Sequence, residues 1–219
     1  MKTPRALIFD LNGTMVNDME FHIRAWKGLL NNDLNAGLNH EEVKSQMYGK
    51  NSELLIRVFG EQKFSEEEMD FWSIEKEKRY QKEYLPHMKL IDGLEDFLIK
   101  AHEKNIPMAI GSAAINFNID FVLDQLHIRK YFRAIVSADD VDISKPHPET
   151  FLKAAALLNT DPKDCIVFED APKGVEAARN AGIPCIVLTT MHNRNEFPDT
   201  SNVLSFIKDY TDPDILSMF

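Results

Sequence analysis

Short apolar runs alternate with stretches of helical period along most of this chain. Arg5–Phe9, Pro107–Ile110, Ala134–Val136, Cys165–Phe168 and Pro184–Leu188 are continuously apolar at their centres, the pattern of strands buried on both faces. Between them lie helix candidates. Leu94–Glu103 follows Gly93, and Asn118–Leu126 carries Ile119, Val122, Leu123 and Leu126 on one stripe. Pro148–Leu158 has a proline in its first turn and Asn159 after its end, while Lys173–Ala181 is closed by Gly182. Strand–helix alternation of this kind implies crossover connections and a parallel sheet, hence an α/β fold of Rossmann-like type with flanking helices.

One block breaks the alternation. From about Met15 to Pro86 there is no strand candidate, only amphipathic helix: Met19–Leu30, Glu41–Met47, Ser52–Phe59 and Glu66–Leu85. Ser65 with Glu68 forms a capping box at the start of the last. We therefore expect an α/β core made of residues 1–15 and 87–219, with residues 16–86 inserted as a helical domain after the first strand.

Composition narrows the class. A 44% hydrophobic and 27% charged chain is that of a soluble globular protein, and no apolar run approaches the roughly 20 residues that span a bilayer. No signal peptide is legible at the N-terminus, which points to a cytoplasmic protein. Lys plus Arg total 25 against 35 Asp plus Glu, a balance of −10 that disfavours nucleic acid and anionic membrane as partners. Cys165 and Cys185 each precede an apolar pair and read as reduced thiols in buried strands. A monomer is expected.

Chemistry gathers where the strands end. In an open parallel sheet, ligands bind outside the carboxyl ends of the strands. The first predicted strand runs into Asp10-Leu11-Asn12-Gly13-Thr14, the second into Gly111-Ser112-Ala113, the third is followed by Ser144-Lys145-Pro146, and the fourth ends in Glu169-Asp170. Any one of these has a plain structural explanation as a turn, cap or solvated residue. Together they bring carboxylates, a hydroxyl and a lysine to one sheet edge. Asp10, Glu169 and Asp170 repel one another unless a cation intervenes, and Mg²⁺ suits such oxygen donors. A metal-bound carboxylate stays ionised and can attack phosphorus, while Lys145 and Ser112 suit the equatorial phosphoryl oxygens and Gly13 permits close backbone approach.

These four segments resemble, in order and spacing, the signature motifs of the haloacid dehalogenase superfamily, over a stretch from about Arg5 to Val187. The helical insertion straight after the first motif is similar to the cap of the group that includes β-phosphoglucomutase and many sugar-phosphate phosphatases. The resemblance implies Mg²⁺ as cofactor, a small phosphorylated metabolite as substrate, and Asp10 as nucleophile and metal ligand. It implies the carbonyl of Asn12, Asp170 and Glu169 as further metal ligands. It also implies Gly13, Ser112, Ala113, Asn116 and Lys145 as phosphate-binding, and His22, Trp26 and Lys76 as substrate contacts from a cap that opens and closes. On helical spacing alone Trp26 shares a core stripe with Ile23 and Leu30. Lys76 lies amid Met69, Trp72, Tyr80 and Tyr84 and must snorkel or meet an anion, of which we favour the anion.

The chain departs from the family at Asn12. The aspartate normally found there is the general acid/base, and an amide cannot relay a proton. Ala114, Ile115 and Ser52 also differ from the β-phosphoglucomutase branch. We expect a phosphatase-type hydrolase, with activated leaving groups such as acyl phosphates accommodated most readily. The alternatives are a sugar phosphomutase with a relay through His22, a catalytically weak sensor of a phosphorylated metabolite, and an asparagine installed by engineering.

Overall fold

The computed structural model describes residues 4–216 and 218. It divides into two compact units, residues 1–17 with 89–219 and residues 18–88.

The first unit is built on a six-stranded sheet of order β3-β2-β1-β4-β5-β6, parallel throughout. Its strands are β1 (Ala6–Phe9), β2 (Met108–Gly111), β3 (Ala134–Val136), β4 (Cys165–Glu169), β5 (Cys185–Leu188) and β6 (Val203–Ile207). Every residue of β1, β2, β4 and β5 is buried, as their unbroken apolar runs require. The expected Rossmann-like α/β architecture is what the chain adopts. Phe9 pairs with Phe168 and with Ile110, so β1, β4 and β2 end level and deliver Asp10, Glu169 and Gly111 to one edge. Phe9 and Phe168 stack with centroids 4.8 Å apart, and Phe97 and Tyr210 pack against both rings. An aromatic cluster thus fixes the two residues that precede Asp10 and Glu169.

Sequence periodicity missed β6. It is an edge strand with Ser205 in its middle and only Ile207 fully buried, so it lacks the apolar run that marks its neighbours. Both cysteines are buried free thiols on β4 and β5, as expected.

The second unit is helical: α1 (Met19–Gly28), α2 (His40–Lys44), α3 (Asn51–Phe59) and α4 (Glu66–Tyr84). The Ser65–Glu68 capping box forms as its sequence indicates. After Gly28 the first helix loosens into a π-helical turn, Leu29–Asp33. On α4 the buried stripe is Ser73, Lys76, Glu77, Tyr80 and Tyr84. The sequence pattern had put Met69 and Trp72 on that stripe, and both are only half-buried. The helices of the first unit are α5 (Leu94–Glu103), α6 (Asn116–Gln125), α7 (Glu149–Leu157), α8 (Pro172–Asn180) and α9 (Pro213–Leu216).

Candidate active site

Asp10 emerges from β1 with its backbone N–H bonded to the Phe168 carbonyl. Lys145 Nζ lies 2.6 Å from Asp10 Oδ1 and 2.8 Å from Glu169 Oε1, with the Phe151 ring 4.6 Å away as a floor. All three charged groups are buried. Burial works against the Lys145 cation, but Asp10 and Glu169 outweigh it and raise its pKa, so the ammonium stays charged.

Glu169 is spent on protein donors. Its Oε1 takes the Lys145 hydrogen bond and its Oε2 accepts from the backbone N–H groups of Asp170 and Ala171. This places the carboxylate over the start of α8, where the helix dipole favours it. Gly174, in the first turn of that helix, is required because a Cβ there would overlap the Glu169 carboxylate. With Lys145 on one oxygen and two backbone N–H groups on the other, Glu169 holds Lys145 in place beside Asp10.

Asp170 and the turn after Asp10 are fitted to each other. Gly13 has φ +78°, and any side chain there would collide with the Asp170 carboxylate. Thr14 donates its hydroxyl to Asp170 Oδ1 at 3.2 Å. The turn is held from outside by two donors that sequence reading missed: the Thr190 hydroxyl on the Gly13 carbonyl at 2.5 Å and the Tyr210 hydroxyl on the Thr14 carbonyl at 3.2 Å. Both lie in C-terminal segments without a motif; a polar residue just beyond β5 is the only signal Thr190 gives. Burial, then Glu169 and Asp10, pushes the Asp170 carboxyl well above its ordinary range. Three carboxylates against one lysine leave a negative surplus at this edge.

Among the described residues no three His, Cys, Asp or Glu side chains converge as a metal cage. A hard cation bound by one or two carboxylates, a carbonyl and water needs no such cage. Asn12, two residues after Asp10, is half-buried. Ser112 is buried, with its N–H on the Val136 carbonyl and its Oγ accepting from Ala114 N at 3.1 Å. Ala113 follows it, half-buried, while Asn116 opens α6 exposed, its N–H bonded to Asp139.

His22, Trp26 and Lys76 come together within the helical unit, and all three are buried there. The anion that Lys76 meets is Glu77, at 2.8 Å; its other partner is His22 Nδ1, at 2.7 Å. The other ring nitrogen, Nε2, faces Asp18 Oδ2 at 3.5 Å. Tyr80 donates to the same Asp18 oxygen at 2.5 Å and stacks on the His22 ring. Asn51 donates to Glu77 Oε1. Asp18 and Glu77 were not legible beforehand, because a carboxylate beside solvated neighbours gives no sign of burial.

A sequence model described as "Haloacid dehalogenase-like hydrolase" matches residues 7–188. The chain is 31% identical over 185 residues to the fructose-1-phosphate phosphatase of Escherichia coli, covering 82% of this chain and 94% of that one. It is 32% identical over 193 residues to the β-phosphoglucomutase of Bacillus subtilis, covering 82% and 80%. A solved structure of a HAD hydrolase, family IA, variant 3, from Entamoeba histolytica superposes with a TM-score of 0.85 at 26% identity, covering 100% of this chain and 97% of that one.

Proposed function

The chain belongs to the haloacid dehalogenase-like hydrolases, and from that premise we propose that it is a magnesium-dependent phosphatase acting on a small phosphorylated metabolite through a phosphoryl ester of Asp10. The observation that carries the proposal is the Lys145 ammonium held between Asp10 and Glu169 at the tips of β1 and β4. A nucleophilic carboxylate beside a fixed cation is what phosphoryl transfer needs, since such catalysis is mostly positioning and charge stabilisation.

The donor set fits Mg²⁺. The carboxylates of Asp10 and Asp170 and the carbonyl of Asn12 are hard oxygen donors, and the crowding that pushes Asp170 up calls for a countercharge. When bound, the cation would offset the charge of both the carboxylates and the phosphoryl oxygens. Asp10 would attack phosphorus in line. Lys145, the Ser112 hydroxyl and the N–H groups of the Gly13 and Ala113 turns would hold the equatorial oxygens. We read residues 18–88 as the cap that selects the substrate, and the protein as cytoplasmic.

The test is a phosphate-ester panel with Mg²⁺. Asp10→Asn should reduce turnover to background, and intact-protein mass should show a phosphoryl adduct on the unsubstituted chain only. Activity that survives in Asp10→Asn refutes the proposal. The relative at 32% identity makes a sugar phosphomutase the second reading; glucose 6-phosphate from β-glucose 1-phosphate, in place of free phosphate, would establish it.

A further inference from the structure

Phosphoryl transfer to Asp10 from an ordinary sugar phosphate expels an alkoxide, which needs a proton as it leaves. The groups around Asp10 in the α/β unit are poor sources of one. Asn12 carries a carboxamide, which has no exchangeable acid proton to give. Glu169 accepts from Lys145 on one oxygen and from two backbone N–H groups on the other, so both its oxygens face donors. Lys145 bridges two carboxylates. The Thr14 hydroxyl is directed to Asp170, that of Thr190 to the Gly13 carbonyl and that of Tyr210 to the Thr14 carbonyl. Apart from Asn12, each of these side chains is arranged to hold charge or to hold the Gly13–Thr14 turn, and Asp170 is counted with the metal donors of the proposed function.

We propose that the preferred phosphoryl donor is an acyl phosphate, and that the aspartyl phosphate formed on Asp10 is long-lived. This rests on the phosphoaspartate reading above and names its substrate class. A carboxylate has a conjugate acid of pKa about 4, so it departs as an anion at neutral pH with no proton supplied. In the first step an Asp10 oxygen forms a bond to phosphorus. The bond from phosphorus to the acyl oxygen breaks, and its electron pair leaves on the carboxylate. One mixed anhydride is exchanged for another of the same kind, so the step is close to energetically neutral. In the second step water attacks phosphorus, the bond to Asp10 breaks, and both water protons leave with the phosphate. That step calls for a base, which Asn12 is not, and it is therefore the slow one.

The experiment compares acetyl phosphate with a hexose phosphate, using the full chain with Mg²⁺, and follows both phosphate release and intact-protein mass. Peptide mapping first verifies that Asn12, followed by Gly13, has not deamidated. With acetyl phosphate the adduct should build to a large fraction of the protein, and kcat/KM should exceed the hexose phosphate value by at least about 10²-fold. Asn12→Asp should raise hexose phosphate turnover by about 10²–10⁴-fold, narrow the preference and leave little adduct. Equal kcat/KM for the two donors in the unsubstituted chain overturns the inference while leaving the phosphoaspartate reading intact. No adduct from either donor, with Asp10→Asn behaving like the unsubstituted chain, would sink both readings.

Discussion

The protein contains two buried lysines, each set among carboxylates, and they do different things. Lys145 sits at the edge of a parallel sheet beside Asp10 and Glu169, with Asp170 close by. Lys76 sits inside a helical unit against Glu77 and His22, with Asp18 one hydrogen bond further on. The first cluster carries more negative charge than its lysine offsets, and its backbone turn is bare at Gly13. The second is held by side chains of its own helices: Tyr80 donates to Asp18, Asn51 to Glu77, and Lys76 contacts both Glu77 and His22. A charge surplus that the chain leaves unmet invites a ligand. A lysine paired mainly with neighbours of its own helices fixes a packing arrangement, even though replacing the pair with apolar groups could be as stable.

The strongest way to break this contrast is to remove each lysine. Lys145→Met should lower kcat on any phosphoryl donor by about 10²–10³-fold, the usual cost of losing one charge-stabilising donor. Lys76→Met should leave an unpaired Glu77 in the helical unit and destabilise it by about 3–5 kcal/mol, read by denaturant unfolding. Lys76→Met combined with Glu77→Leu should recover most of that loss. If the single Lys76 variant unfolds like the parent but loses activity, Lys76 belongs with the catalytic machinery and the contrast collapses.

Metal should sharpen it next. Mg²⁺ at about a hundredfold excess over its dissociation constant should stabilise the chain by roughly 2.7 kcal/mol. Asp170→Asn should remove most of that gain in a thermal melt, while Glu77→Gln should leave it intact.

Acid should move the two regions in opposite directions. Burial raises the Glu77 carboxyl, but Lys76, His22 and Asn51 outweigh it and hold it below its ordinary value. Its contribution is therefore present above the unfolded value, about 4.3, and is lost as pH falls through the folded value. Asp170 is raised, so in metal-free protein its neighbourhood gains stability as pH falls through the folded value toward about 3.9. Hydrogen exchange followed by mass spectrometry from neutral to acid pH should show protection falling in residues 18–88 while the peptides around Asp170 lag behind. The smallest effect should be that of Tyr210→Phe. It keeps the ring in its aromatic cluster and removes one hydrogen bond to the Thr14 carbonyl, for about 1 kcal/mol.

The contrast also marks how far a sequence can be read. The strand tips were legible because a parallel sheet concentrates chemistry at one edge, so Asp10, Lys145, Glu169 and Asp170 could be grouped from their positions alone. Their division of labour was not legible. That Glu169 orients Lys145 follows from two backbone N–H groups and the bare position at Gly174. The helical unit was legible as helix but not as a charge network. Spacing put Lys76 on an apolar face, yet nothing in the pattern distinguished Glu77 and Asp18 from the solvated acids around them. The edge strand β6 escaped for another reason: Ser205 interrupts its apolar run and only Ile207 is fully buried.

The chain passes between its two units at residues 17–18 and 88–89. For recombination this is a favourable place to cut. Each of the two lysine clusters has its described partners within one unit, so swapping residues 18–88 with the corresponding segment of a relative would transplant one intact ionic network and leave the other untouched. Chimeras spliced there should take Asp10, Asn12, Lys145, Glu169 and Asp170, and with them the preference for acyl phosphate, from the parent that supplies residues 1–17 and 89–219. Splices placed inside α1 would part Asp18 and His22 from Lys76 and should yield insoluble protein.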